Sequence, residues 1–231
     1  MHNYLAIIPA RKNSFRLKDK NIKIFRKKPM IEYTFDLIKK IKKIDFPILS
    51  SNDNKIIKLA KRKNILVPFK RPENLSKKDS EVKDVILHAL KWYKKLHVSY
   101  PNNIILLQPT SPLRNTKEIK KAIAKYEKIN CNSLVSACEP FQDPNDLYFS
   151  DYKNKIIKPL IKAKKINNKK KNILFIDGSI YICKTKYFLK KKKFFDKKTK
   201  LFLVKKKHAF DINNKFDFAL AEAYSNFNNN K

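Results

Sequence analysis

Short apolar runs and amphipathic stretches alternate along this chain from its fourth residue almost to its end, and that alternation restricts the fold more than any other feature. Tyr4 to Pro9 contains β-branched residues and is closed by Pro9 and a basic loop, so it reads as a buried strand. Met30 to Ile44 then places Ile31, Phe35, Ile38 and Ile41 at helical spacing with lysines on the other face. Pro47 to Ser51 is the next strand, Asn54 to Lys63 the next helix and Ile65 to Pro68 a third strand. Ser80 to Leu96 carries Val82, Val85, Ile86, Ala89, Leu90 and Tyr93 on one stripe. Asn103 to Pro109 is the most hydrophobic strand candidate, followed by a helix over Thr116 to Ile129 and a strand over Ser133 to Glu139. The repeated order predicts an α/β fold with a mostly parallel sheet covered on both faces.

The pattern weakens through Pro140 to Asn172, a lysine-rich stretch with few apolar residues that reads as a solvated loop. Strand character returns in I-L-F-I-D-G-S-I-Y-I-C. A closing helix is expected over Phe216 to Tyr224, with Phe216, Ala219, Leu220 and Ala223 turned inward. There is no internal repeat or Gly/Ser linker, and 231 residues suit one domain able to bury about 70% of its unfolded surface. Cys131, Cys138 and Cys183 lack metal-type spacing and are expected to be buried, reduced thiols. The N-terminus lacks a basic region followed by a long apolar one, and no later run approaches about 18 apolar residues. A soluble cytoplasmic protein without a membrane partner is the expectation.

The net charge of +35 suggests a phosphate-rich partner. Only six of the 55 basic residues are arginine, however, whereas base-edge and bidentate phosphate recognition favours the guanidinium fork. Lysine is abundant everywhere, so no specific nucleic acid is expected, although a basic nucleic-acid-binding protein stays open as an alternative. The charge should in any case speed encounter with polyanions.

Four stretches carry chemistry. After the first strand, Arg11, Lys12, Ser14, Arg16, Lys18, Lys20 and Asn21 crowd one loop, and such donors at a strand's carboxyl end suit a triphosphate. Gln108, Thr110, Ser111 and Arg114 follow the most hydrophobic strand, bringing donors and a positive charge to the edge where open α/β sheets bind ligands. An ordinary strand-to-helix loop would contain similar residues. Gly178 is the only glycine of the chain, so its position should need φ > 0 or a close approach; a strand bulge is the plainer reading. The fourth stretch, H-A-F-D-I-N-N-K-F-D-F, holds Asp211, Asn213 and Asp217.

P-A-R-x-x-S followed by K-N-I, K-R-P-E-N-L-S-K-K-D-S, L-L-Q-P-T-S-P-L-R, I-D-G-S-I-Y-I and D-I-N together resemble the acylneuraminate cytidylyltransferases and related CMP-sugar synthetases, from about Leu5 to Ala223. The resemblance implies a three-layer α/β/α nucleotidyltransferase, Rossmann-like and related to the nucleotide-binding half of GT-A glycosyltransferases. It further implies a homodimer, with residues 140–185 as a sugar-binding and dimerisation lobe. The implied reaction is attack of an acidic sugar's anomeric hydroxyl on the α-phosphorus of CTP, with Mg²⁺ as cofactor and pyrophosphate leaving. By the same resemblance Arg11, Lys20 and Asp211 are catalytic, and Ala10, Arg11, Ser14, Arg16, Asn21, Arg71, Asp79 and Ser80 surround the nucleotide. Gln108, Thr110, Ser111, Asp177, Gly178 and Ser179 would face the sugar, and Asp211 and Asn213 the metal.

The chain also departs from the family. Lys12 and Asn13 replace two glycines of the loop, Phe15 replaces a lysine, Asp177 stands for the usual Asn and Ser179 for Ala. Asn213 stands where a second carboxylate is expected, and Mg²⁺ prefers anionic oxygen. The acceptor region reads K-K-I-N-N-K-K-K-N-I-L-F and Q-D-P-N-D-L-Y-F, unlike the family. The expected acceptor is a nonulosonic acid of the sialic, legionaminic or pseudaminic type. A CMP-Kdo synthetase and a degenerate nucleotide binder are the alternatives.

Overall fold

The computed structural model describes residues 4–151, 156–159 and 173–227. Its strands are β1 (Tyr4–Pro9), β2 (Ile24–Phe25), β3 (Lys28–Pro29), β4 (Phe46–Ser50), β5 (Asn103–Leu106), β6 (Ser133–Ala137), β7 (Tyr148–Asp151), β8 (Ile156–Pro159), β9 (Tyr181–Lys184) and β10 (Lys200–Leu203). The α-helices are α1 (Met30–Ile38), α2 (Asn54–Arg62), α3 (Val82–His97), α4 (Thr116–Ile129), α5 (Thr185–Lys191) and α6 (Lys215–Phe227). Six strands form one sheet in the order β10-β6-β9-β5-β1-β4. β1 runs parallel to β4 and β5, and β10 to β6, while β9 is antiparallel to both its neighbours, β5 and β6. Five strands thus point one way and β9, inside the sheet, points the other.

Side-chain alternation along β1 builds the three layers. Tyr4, Ala6 and Ile8 share one core with Ile31 and Phe35 of α1, Ile56 of α2 and Ile119 and Ile123 of α4. Leu5 and Ile7 face the opposite way, packing with Ile86, Leu90 and Tyr93 of α3 and Phe188 of α5. A smaller core of Leu17, Phe25, Met30, Phe210, Ile212 and Phe218 ties the first loop to α6 and so holds two parts of the site together. Helix starts are set by side chains: Asp53 accepts the Lys55 N–H at 2.7 Å at the head of α2, and Asn115 accepts the Lys117 N–H at 2.7 Å at the head of α4.

Several expectations are corrected. The first helix ends at Ile38, and Ile41 and Ile44 reach the core from turns, so periodic apolar spacing here does not require a continuing helix. The strand expected at Ile65 to Pro68 is a single parallel bridge, Ile48 to Leu66, next to a proline that cannot donate to a ladder. Part of the stretch read as loop after Pro140 forms the hairpin β7–β8; residues 152–155 and 160–172, which include much of the expected lobe, lie outside the described residues. Helix α6 buries Phe218, Ala221 and Ser225 instead of the stripe through Phe216, which is 74% exposed, and Leu220. Its rotation is fixed at its start: Asn214 accepts the Asp217 N–H at 2.9 Å while the Asp217 carboxylate accepts the Asn213 and Asn214 N–H groups at 2.7 and 3.1 Å.

With one glycine in the chain, other residues take the left-handed backbone conformation, among them Asn64, Asn130 and Val98. Asn is tolerated there, whereas Val98, at φ 62 and 87% exposed, is β-branched and gains no packing in return. Val98→Gly is expected to stabilise the fold by about 1 kcal/mol, read from urea denaturation; an unchanged midpoint would reject this strain.

Candidate active site

The carboxyl ends of β1 and β5 open into a cavity of about 480 Å³. Of the residues singled out from sequence, Arg11, Ser14, Arg16, Lys20, Asn21, Arg71, Ser80, Gln108 and Thr110 line it. Three separate stretches therefore converge on one edge, as open α/β sheets require for ligand binding.

Side chains do the work that glycines do in a phosphate loop. The Lys12 N–H donates to Asn52 Oδ1 at 2.8 Å, which ties the loop to the exit of β4. Asn21, largely buried in the cavity wall, donates its amide to the Arg11 carbonyl at 3.1 Å and so shapes the loop. Lys20 Nζ donates to the Ile212 carbonyl at 3.0 Å, and Arg16 Nη2 to Asn213 Oδ1 at 2.9 Å. Asn213 Nδ2 in turn donates to Asp211 Oδ2 at 2.8 Å. A guanidinium only donates and a carboxylate only accepts, so the Asn213 amide is oriented by its two partners. The first loop and the segment 211–213 are in this way joined beside the cavity.

The electrostatics are cationic and partly desolvated. Burial pushes the Lys20 ammonium below its ordinary pKa, opposed by the nearby Asp211 carboxylate. Arg71 is buried, donates through Nε to Ser50 Oγ at 3.0 Å, and is pushed down to about 10 by burial and then by the charge of Arg11. Arg11 donates to the carbonyls of Lys77 and Lys78, and its guanidinium lies 5.4 Å from the ring centroid of Phe15.

Behind the cavity lies a buried polar cluster. Arg114 donates to the Gln108 carbonyl and, at 3.4 Å, to Thr34 Oγ1; burial pushes it down to about 10 against the opposing pull of Asp177 and Asp211. The expectation that Asp177 and Ser179 face a sugar is corrected: both are fully buried, and Ser179 Oγ pairs with Ser136 Oγ at 3.0 Å. Neither Asp177 oxygen makes a hydrogen bond of normal geometry; burial raises its pKa, and the Ser136 and Ser179 hydroxyls and Arg114 pull it back. Ala10 and Ser111 are likewise buried behind the lining, and Asp79 is exposed without lining the cavity, so these three expected contacts are not made by the cavity wall. Gly178 has φ +73, and a Cβ there would stand 3.6 Å from Asp211 Cγ, so the glycine serves the backbone turn while leaving ordinary contact distance to Asp211.

The sequence reading missed Phe15 as a lining residue, along with Leu75, Lys78, Val82 and Val85. Lys78 and Leu75 belong to the Arg71–Ser80 segment already singled out, but Val82 and Val85 were read only as core. Among the described residues no group of three His, Cys, Asp or Glu side chains could hold a metal.

A three-layer α/β fold with a cation-lined cavity at the carboxyl edge of its sheet is an arrangement suited to binding a phosphorylated ligand. CMP-2-keto-3-deoxy-manno-octonic acid synthetase, solved with CTP, superposes with a TM-score of 0.70 at 12% identity over 99% of both chains. The 4-diphosphocytidyl-2C-methyl-D-erythritol synthase of Anaerococcus prevotii superposes at 0.65 with 14% identity, covering 96% of this chain and 98% of its own. The chain belongs to the cytidylyltransferase family, whose model matches residues 5–225. It is 29% identical to the CMP-N,N'-diacetyllegionaminic acid synthase of Legionella pneumophila over 226 residues, 97% of each chain. It is 31% identical to the pseudaminic acid cytidylyltransferase of Campylobacter jejuni over 159 residues, covering 65% of this chain and 68% of that one.

Proposed function

We propose that this enzyme transfers CMP from CTP to an acidic nonulosonic sugar. A bond forms between the sugar's anomeric oxygen and the α-phosphorus, the bond to the β-phosphate oxygen breaks, and pyrophosphate leaves. The observation that carries this reading is the convergence of Arg11, Arg16, Lys20 and Arg71 on one cavity at the carboxyl edge of β1 and β5. Relatives named for legionaminic and pseudaminic acids support the acceptor class. Catalysis of this kind is mainly positioning and charge neutralisation, which fixed cations in a partly desolvated cavity supply. Arg11, Arg16 and Lys20 would hold the phosphates, Ser14 and Ser80 would orient the nucleotide, and Gln108 and Thr110 would meet the acceptor.

Mg²⁺ fits this donor set as an ion held largely by nucleotide phosphates and water. Asp211 offers a half-buried carboxylate and Asn213 an amide oxygen, and Mg²⁺ commonly uses only one or two protein carboxylates. When bound it would neutralise phosphate charge. Asn213→Asp is expected to tighten divalent binding about tenfold, read by Mn²⁺ paramagnetic resonance on the free enzyme; unchanged affinity would remove residue 213 from the metal site.

The decisive assay is pyrophosphate release with CTP, Mg²⁺ and each of sialic, legionaminic, pseudaminic and 3-deoxy-octulosonic acids. Release with a nine-carbon acid is expected; release only with the eight-carbon acid, or with none, rejects the reading. A homodimer acting in the cytoplasm belongs to the same proposal by family resemblance, and sedimentation equilibrium checks the dimer.

A further inference from the structure

At the edge of the sheet opposite the active-site cavity, the start of β6, the end of β9 and the start of β10 surround a second, larger cavity of about 1180 Å³. Seven of its 14 lining residues are lysine. Lys184 is committed to Asn130, its Nζ lying 2.8 Å from Oδ1. The other six, Lys186, Lys190, Lys191, Lys197, Lys198 and Lys200, are exposed, and none forms an ion pair with a described residue. The one acid in the wall, Asp196, is turned to the backbone, accepting the Lys198 N–H at 2.8 Å.

Bulk lysine content does not account for this. Residues 184–200 hold nine lysines against one acid, a charge density about three times the mean of a chain with net charge +35 over 231 residues. Like charges around a concave wall repel one another and focus a positive potential into the space between them. A multivalent anion relieves both effects. The chemistry of the wall narrows the class: it contains no arginine to form a bidentate fork, and its one ring, Tyr187, is partly buried. A base would find no stacking platform there, whereas a row of phosphate oxygens finds point charges.

We propose that this cavity binds a soluble linear oligophosphate, independently of the active site at the other edge of the sheet. The test is calorimetric titration of the full chain with inorganic tripolyphosphate at about 100 mM salt, where such contacts remain measurable. The isotherm is resolved into one event at the active-site cations, identified by its loss in Arg11→Ala/Lys20→Ala, and a second event at this cavity, which is the binding each variant is scored on. Lys190→Ser/Lys191→Ser/Lys197→Ser/Lys198→Ser is expected to weaken binding about tenfold or more and to flatten its salt dependence, with an unchanged melting midpoint showing that the fold is retained. Arg11→Ala/Lys20→Ala, damaged in the active-site cavity, should keep the binding. So should Lys39→Ser/Lys40→Ser/Lys42→Ser/Lys120→Ser, which removes the same charge elsewhere. Equal loss in this last variant would reduce the effect to bulk charge and overturn the site. Retention in the first variant, loss in the Arg11/Lys20 variant, or equally tight lysine-dependent binding of oligothymidylate with the same number of phosphates would overturn it as well.

Discussion

Arg11→Ala is expected to lower kcat/KM for CTP by about 100- to 1,000-fold, the usual consequence of removing one preorganised cationic donor from a charge-stabilising site. Arg11 lies at the carboxyl end of the β1 strand, lines the active-site cavity and is held over Phe15, with its guanidinium bonded to the Lys77 and Lys78 carbonyls. Those neutral acceptors leave its charge uncompensated and available to phosphate. The adjacent Arg71 is anchored to Ser50 and cannot swing out to replace it. Steady-state kinetics over CTP concentration provide the check. A change of less than about fivefold would mean that the phosphates lie elsewhere, since even a single weak contact is worth about 1 kcal/mol.

Arg114→Met is expected to destabilise the protein by about 1–3 kcal/mol, the range for leaving buried polar groups without their donor. The side chain is buried, its donors reach the Gln108 carbonyl and Thr34, and Asp177 behind it has no hydrogen bond of normal geometry. Removing the guanidinium leaves the Gln108 carbonyl and Thr34 without this donor and takes away the positive charge that opposes the burial of Asp177. The double variant Arg114→Met/Asp177→Asn should therefore recover part of the loss, because it removes both charges together. Urea denaturation of the two variants separates this from a simple packing defect, which the second substitution would not repair.

Much of the sheet was legible because parallel strands buried on both faces are written as short continuous apolar runs. β1, β4, β5 and β6 all announce themselves this way, and the helix over Thr116 to Ile129 is found with the bounds expected from its periodicity. Where lysine saturates the sequence that contrast fails. α5 and β10 went unforeseen because the lysines of residues 184–200 hide a helix and an edge strand whose exposed positions carry no pattern. Helix α6 was found but turned wrongly, since Phe216, Leu220 and Ala223 make as good a stripe as Phe218, Ala221 and Ser225; the capping contacts of Asn214 and Asp217 decide between them. In the site, residue spacing located the loop and the Gln108 segment, while Asp211 lies beside the cavity and outside its lining. It could not tell lining from support. Asp177 and Ser179 are polar residues near the right edge, and only their packing shows that they brace the wall from behind.

The reversed direction of β9 has a bearing on how such a scaffold diversifies. Because it runs against its neighbours, β9 presents its beginning, with Gly178 just ahead of it, at the edge where β5 and β6 present their ends. The chain between β6 and β9 therefore departs and returns at the same rim, where Cys138 and Phe175 bridge its two stems. The length of chain between those stems can therefore change without lengthening or shearing any strand of the sheet.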